Sequence, residues 1–267
     1  MKILGIIAGN GKFPLLLARK ARQKGYQVIA ACVRGDTSFL IRFFSDQQAW
    51  FRAGDLSKLF SYLKEKNVKE VIMAGQVNPK NLFDPSVKLD AEFQKLLEAI
   101  KDRKTDTIFG AIADQLKKHG IELLDSTFLL KEYLAPQGTL TKRGPTLNEL
   151  ADIEFGIQIA KSMGGIDVGQ TVVVKDKAIV AIEAMEGTDQ TITRGGNISR
   201  QGAVIIKMSK PKQDVRFDVP VIGPRTIKHM IKSQAKCLAI EARKTLIIDQ
   251  LKCLKLANKA DICIVGA

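Results

Sequence analysis

Ile3-Leu4-Gly5-Ile6-Ile7-Ala8, followed at once by Gly9-Asn10-Gly11-Lys12-Phe13-Pro14, is the stretch whose pattern decides the fold class. A continuous apolar run closed by glycine is the pattern of a strand buried on both faces of a parallel sheet. Phe13, Leu16, Leu17, Lys20, Ala21 and Lys24 then give a mostly apolar stripe with a basic far side, and Gly25 stops it, which predicts a helix. Further out, Tyr26–Val33 and Glu70–Ala74 read as strands, and Leu56–Lys66, 89–101 and 107–118 as helices. Gly120 ends the last of these before a strand-like run at Ile121–Leu124. Strand alternating with helix predicts an open parallel sheet with helices on its faces, a Rossmann-like α/β domain over residues 1–135.

The breaker-rich, basic stretch 136–145 predicts a linker. Beyond it, Thr146 is placed to cap a helix over Leu147–Met163, and Thr171–Val174 with Ala178–Ile182 reads as an antiparallel hairpin. Strand-like runs at 203–208, 214–219, 237–241, 245–248 and 262–265 alternate with helical patterns at 188–195, 225–234 and 250–258. The expectation for 146–267 is an α/β domain with a mixed sheet, carrying metal and catalytic carboxylates.

The chain has 267 residues, 45% hydrophobic and 26% charged, values that exclude a disordered, collagen-like or multi-span membrane chain. Its formal charge is +14, and residues 190–267 hold 15 basic side chains against 5 acidic ones. Such a field attracts nucleic acid, anionic lipid or a phosphorylated small substrate. One Trp, three Tyr and no zinc, RNP or helix-turn-helix signature argue against nucleic acid. Cys32, Cys237, Cys253 and Cys263 form no CxxC pair and read as buried free thiols. The apolar start breaks at Gly9, too early for a signal h-region, so a cytoplasmic location is expected.

Gly9, Asn10 and Gly11 lie where a first strand turns into a helix. Backbone there can approach a ligand and free N–H groups attract phosphate, although the motif is neither a full GxGxxG nor a Walker A loop and a plain tight turn fits equally well. Gly75, in Gly75-Gln76-Val77-Asn78-Pro79, falls on the same carboxyl edge, where open parallel sheets bind ligands. From Asp214 onward polar and apolar residues alternate, so a strand would carry Asp214, Arg216 and Asp218 on one face. Two aspartates beside Lys210, Lys212 and Arg216 suit Mg²⁺ or Mn²⁺ with a diphosphate, and equally suit a self-neutralising solvated face. Glu183, Glu186 and Asp189 form a second carboxylate group around Gly187 and Thr188, as a helix cap or as part of a metal site. His119 and His229 read as solvated surface, which leaves acid–base work to carboxylates or metal-bound water.

Ile7-Ala8-Gly9-Asn10-Gly11-Lys12-Phe13-Pro14, Glu186-Gly187-Thr188-Asp189 and the run from Lys210 to Gly223, taken together, resemble the LpxI family, the UDP-2,3-diacylglucosamine diphosphatases of lipid A and hence lipopolysaccharide biosynthesis. Asn10 stands where the family's loop has a third glycine. The resemblance implies a cytoplasmic, homodimeric two-domain hydrolase that uses Mg²⁺ to convert UDP-2,3-diacylglucosamine to the acylated sugar 1-phosphate and UMP, with substrate between the domains and attack at the β-phosphorus. It implies that Asp218 matches an essential aspartate and that the first glycine loop holds the uridine part. Chemistry adds Glu186 and Asp189 as further metal ligands, Asp214, Arg216 and Lys210 as catalytic groups, and Gly75, Gly187 and Thr188 as substrate-binding. Peripheral contact with the inner-membrane surface is expected from the basic C-terminal part. Two alternatives stay open: a nucleotide- or dinucleotide-binding regulatory protein or oxidoreductase, whose ribose-binding acid would be Asp36, and a basic RNA-binding module.

Overall fold

The structure, a computed structural model, describes residues 2–77 and 87–267. The chain forms two compact units, one of Met1–Leu130 with Asp214–Asp218, the other of Lys131–Gln213 with Val219–Ala267.

In the first unit β1 (Ile3–Ala8), β2 (Gln27–Val33), β3 (Gln47–Phe51), β4 (Glu70–Ala74) and β5 (Glu122–Leu123) form one sheet in the order β3-β2-β1-β4-β5. Every pairing in it is parallel, as the apolar runs predict. Helices α1 (Phe13–Gln23), α2 (Leu56–Glu65), α3 (Ala91–Ala99) and α4 (Thr105–Lys118) lie in the other connections, while β2 and β3 are joined through a 3₁₀ turn at Phe39–Phe43. The order reverses between β1 and β4, which makes their carboxyl ends the crevice where such sheets take ligands. Phe60, Leu63, Val71, Leu96 and Leu116 are among the buried residues that join sheet and helices into one core.

The second unit has a six-stranded mixed sheet in the order β6-β13-β11-β9-β7-β8. Its members are β6 (Gly138–Thr139), β7 (Thr171–Lys175), β8 (Ala178–Ile182), β9 (Val204–Lys207), β11 (Cys237–Ile240) and β13 (Cys263–Gly266). β9, β11 and β13 are parallel, whereas β6, β7 and β8 run antiparallel to their neighbours. The short β10 (Val221–Ile222) and β12 (Leu246–Ile247) pair separately. Helices are α5 (Leu147–Gly165), α6 (Thr188–Ser199), α7 (Pro224–Lys232) and α8 (Gln250–Lys259). α5 opens with a capping box in which Thr146 and Glu149 each satisfy the other's backbone N–H. All four cysteines are buried free thiols.

Two expectations are corrected. The stretch 136–145 is not a linker: it carries β6, Thr141 Oγ1 accepts the Ile264 N–H at 2.9 Å, and Arg143 grips Glu149 at 2.7 and 3.0 Å. Its prolines and glycines mark an irregular path along a sheet edge, not free chain. Residues 214–219 are not a strand either, because the Phe217 and Asp218 N–H groups both return to the Asp214 carbonyl, at 3.2 and 2.9 Å, closing a turn. A turn destroys the alternation of faces on which the row Asp214, Arg216, Asp218 rested.

Candidate functional site

The turn at 214–218 has left the second unit's sequence neighbourhood and is built into the first unit. Ser126, fully buried just after β5, donates its N–H to the Val215 carbonyl at 2.9 Å. Its hydroxyl lies 2.8 Å from the Met73 carbonyl, near the end of β4, and 2.7 Å from that of Arg216. Phe217 packs on the unit's core and stacks on Phe109 with ring centres 5.8 Å apart. Asp214 and Asp218 are therefore held at the carboxyl edge of the parallel sheet, the edge that also carries the glycine loop. Within the turn, Arg216 binds Asp214 through Nε and Nη2 at 2.9 and 2.6 Å. That guanidinium holds the Asp214 carboxyl below the usual aspartate range.

On the same edge, the Gly9 N–H reaches the Ala74 carbonyl at 2.8 Å and the Asn10 N–H the Gln76 carbonyl at 2.7 Å. A Cβ on Gly9 would stand 2.6 Å from the Gln76 oxygen, and one on Gly75 would meet the Asn10 carbonyl. These two glycines are thus required by two loops lying backbone against backbone. Gly11, with φ +94°, faces open space. No side chain caps α1 and no acid sits in its first turn, so its amino end remains an electropositive start at the sheet edge. Asn78 and Pro79, the end of the Gly75 loop, lie outside the described residues.

In the second unit the chemistry gathers where β8 turns into α6. Gly187 precedes the helix at φ +83°, ψ 165°, a conformation that only glycine adopts easily, and no side chain caps α6. Thr188 accepts from the Lys207 Nζ at 2.7 Å, donates to the Glu183 carboxylate at 2.9 Å and lies 3.3 Å from the Thr171 hydroxyl. Lys207 closes β9 with its side chain only 8% exposed, 4.0 Å from Glu183. The second Glu183 oxygen is buried without a hydrogen bond, so this lysine is its principal counter-charge. Glu186 is bound by Arg194 at 2.7 Å and Thr191 at 3.1 Å. Burial pushes the Glu186 carboxyl up, but Arg194, Thr191 and backbone N–H groups outweigh it and leave it below the usual range. Asp189 is paired with Arg225 at 2.5 Å, and the His229 Nε2 lies 3.9 Å from it. The His229 side chain is 32% exposed and its Nδ1 is 3.0 Å from the Thr193 hydroxyl. His119, at the end of α4, pairs with Glu92 at 3.2 Å and packs on Phe60.

Lys210 lies 2.6 Å from Asp167, a structural pairing within the second unit, while Arg216 belongs to the first. Lys207 was missed by sequence reasoning. Its signal was there: a single cation at the end of the apolar run Ala203-Val204-Ile205-Ile206, in a strand that must be buried. Of the expected metal ligands, Glu186 and Asp189 fit Mg²⁺ poorly, since each is already neutralised by an arginine. Among the described residues no three His, Cys, Asp or Glu side chains group as a metal site. Mg²⁺ that arrives with substrate phosphates needs only one or two carboxylates, a demand that Asp218 can meet.

A Rossmann-like parallel unit with an electropositive helix start and an inserted aspartate turn, plus a mixed-sheet unit with a lysine at an uncapped helix, defines a class of two-unit α/β protein suited to a phosphorylated ligand. Residues 3–133 match the family described as LpxI N-terminal domain and residues 136–265 the LpxI C-terminal domain, so the chain belongs to the LpxI family. The UDP-2,3-diacylglucosamine pyrophosphatase LpxI of Caulobacter vibrioides is 28% identical over an alignment 283 positions long, covering 100% of this chain and 98% of that protein. Among solved structures, the ADP complex of N5-carboxyaminoimidazole ribonucleotide synthetase is 15% identical, covers 65% of this chain and 32% of that one, and has a TM-score of 0.29. The biotin carboxylase domain of a single-chain bacterial carboxylase gives 16%, 62%, 35% and 0.29. The chain spans about a third of those structures.

Proposed function

We propose that this protein hydrolyses the diphosphate of UDP-2,3-diacylglucosamine to 2,3-diacylglucosamine 1-phosphate and UMP, in a divalent-metal-dependent step of lipid A biosynthesis. The observation that carries this reading is the full-length similarity to the Caulobacter pyrophosphatase, 28% identity across 100% of the chain. The residues support it in chemical terms. An uncapped α1 start beside Gly11 offers N–H donors to the nucleotide part, and Lys207 with the uncapped α6 start offers positive charge to phosphate. Asp218 is the carboxylate we assign to Mg²⁺, which when bound neutralises diphosphate charge and lowers the pKa of water. Hydrolysis at the β-phosphorus forms its bond to the water oxygen and breaks its bond to the bridging oxygen, which departs with UMP.

The test is incubation of the purified chain with UDP-2,3-diacylglucosamine and Mg²⁺, with and without EDTA. UMP and the lipid monophosphate should appear together and EDTA should stop both. No UMP under any metal condition would overturn the reaction, and undiminished UMP in EDTA would overturn its metal dependence.

A further inference from the structure

Residues 39–44, Phe39-Leu40-Ile41-Arg42-Phe43-Phe44, follow β2 and belong to neither candidate site. Residues Phe39–Phe43 form one short 3₁₀ helix whose start is capped by Ser38, its Oγ accepting the Leu40 N–H at 3.3 Å. Ile41 is fully buried and pins the turn to the first unit, while Phe39, Leu40 and Phe43 are 63%, 54% and 58% exposed. Single exposed apolar residues are ordinary, but five consecutive residues here present three bulky ones, the kind of grouping that marks an interaction site. The patch is ordered by its own contacts. Phe39 stacks on Trp50 with ring centres 5.3 Å apart, and the Arg42 guanidinium lies 5.1 Å from the Phe39 ring centre and 4.7 Å from that of Phe43. Arg22 donates to the Phe43 carbonyl at 3.2 Å and Arg34 to that of Trp50 at 3.3 Å.

The charge around the patch selects its partner. Segments 13–24 and 34–46 hold Arg19, Lys20, Arg22, Lys24, Arg34 and Arg42 against Asp36 and Asp46 alone. Asp46 is itself engaged by the Val28 N–H at 2.8 Å and by Arg22 at 3.8 Å. Two copies meeting through this face would set arginines against arginines, whereas phospholipid headgroups bring anions to them. Aromatic rings with guanidiniums at their level are the equipment of a shallow membrane contact, in which rings enter the acyl boundary and cations stay with the headgroups. We propose that the Phe39–Phe43 turn, with Arg22, Arg34 and Arg42 around it, docks the first unit onto the surface of an anionic lipid bilayer. This contact is made by first-unit residues, not by the basic sequence after residue 190 that composition pointed to, and it does not depend on the proposed reaction.

The experiment is flotation of the full chain with phosphatidylcholine vesicles, with and without phosphatidylglycerol, at low and high salt. The wild type should float with the anionic vesicles at low salt and be released by high salt. The double variant Phe39→Ser/Phe43→Ser should partition about 100-fold more weakly, and Arg42→Gln about 5-fold. Unchanged thermal unfolding would show that the exposed substitutions leave the fold intact. UMP release from detergent-dispersed substrate should be equal in wild type and the serine variant, which separates this contact from the reaction. Equal flotation of wild type and the serine variant, or no flotation of the wild type with anionic vesicles, would overturn the proposal. So would a serine variant that loses an oligomer in light scattering while its vesicle binding is unchanged.

Discussion

Gly9–Lys12 after β1 and Gly187 before α6 both lead a strand into a helix, and their glycines answer to different physics. In the first, Gly9 and its neighbour Gly75 are forced by two loops in backbone contact, each lacking room for a Cβ. In the second, the space around Gly187 is open, the backbone itself demands glycine at φ +83°, and the contacts are made by Thr188, Glu183 and Lys207 side chains. A glycine beside a helix start is therefore one sequence signal with two causes, close packing of main chain and a backbone shape that serves charged side chains.

The contrast can be broken most forcefully at Gly75. Gly75→Ala combines a positive φ with a clash against the Asn10 carbonyl and should lower unfolding stability by about 4 kcal/mol, measured by urea denaturation. A loss below about 1 kcal/mol would show that the two loops separate readily. The second unit's turn should respond in activity. Lys207→Met removes the cation beside Thr188 and should lower kcat/KM for the proposed substrate about 100-fold, about 2.7 kcal/mol. It also strands the Glu183 charge, so pairing it with Glu183→Gln should restore part of the stability without restoring turnover. Restored turnover in the double variant would make Lys207 structural only. Gly187→Ala should cost about 2 kcal/mol from backbone strain alone.

The smallest effect concerns acid. Glu186 has a carboxyl pKa lowered in the folded protein, so its pairing with Arg194 contributes stability above the unfolded value, near about pH 4.3, and loses it as pH falls through the folded value. The pair is partly solvated, and the contribution should not exceed about 1 kcal/mol. The stabilities of wild type and Glu186→Gln in thermal unfolding should therefore differ above about pH 4.3 and draw together as pH falls below it. A constant gap across the range would contradict that linkage.

The parallel sheet of the first unit was legible because buried strands are apolar runs and its helices have a clear stripe. β3 was not, since Gln47-Gln48-Ala49-Trp50-Phe51 starts with two polar, exposed residues and has neither the continuous run nor a clean alternation. The turn at 214–218 imitated a strand because alternation describes sequence only. Flanking Pro211 and Pro220 were the warning, as each removes a donor that a ladder would need. That this turn is built into the first unit was not legible at all. It depends on Ser126, 90 positions earlier than Arg216, whose small hydroxyl gives no periodic signal. In the candidate site, glycines and carboxylates were legible by type, but the partners that set their roles, Arg194 on Glu186 and Arg225 on Asp189, come from helix spacing and packing.

The central claim is that Asp218, carried on a turn built into the first unit, enables hydrolysis of UDP-2,3-diacylglucosamine. The most direct measurement is UMP release under saturating substrate and Mg²⁺ by wild type and Asp218→Asn side by side, with thermal unfolding of both. The account predicts loss of turnover by at least about 1,000-fold with the fold retained, the scale of removing a group that acts only on the transition state. UMP release by Asp218→Asn within a few-fold of wild type would contradict it.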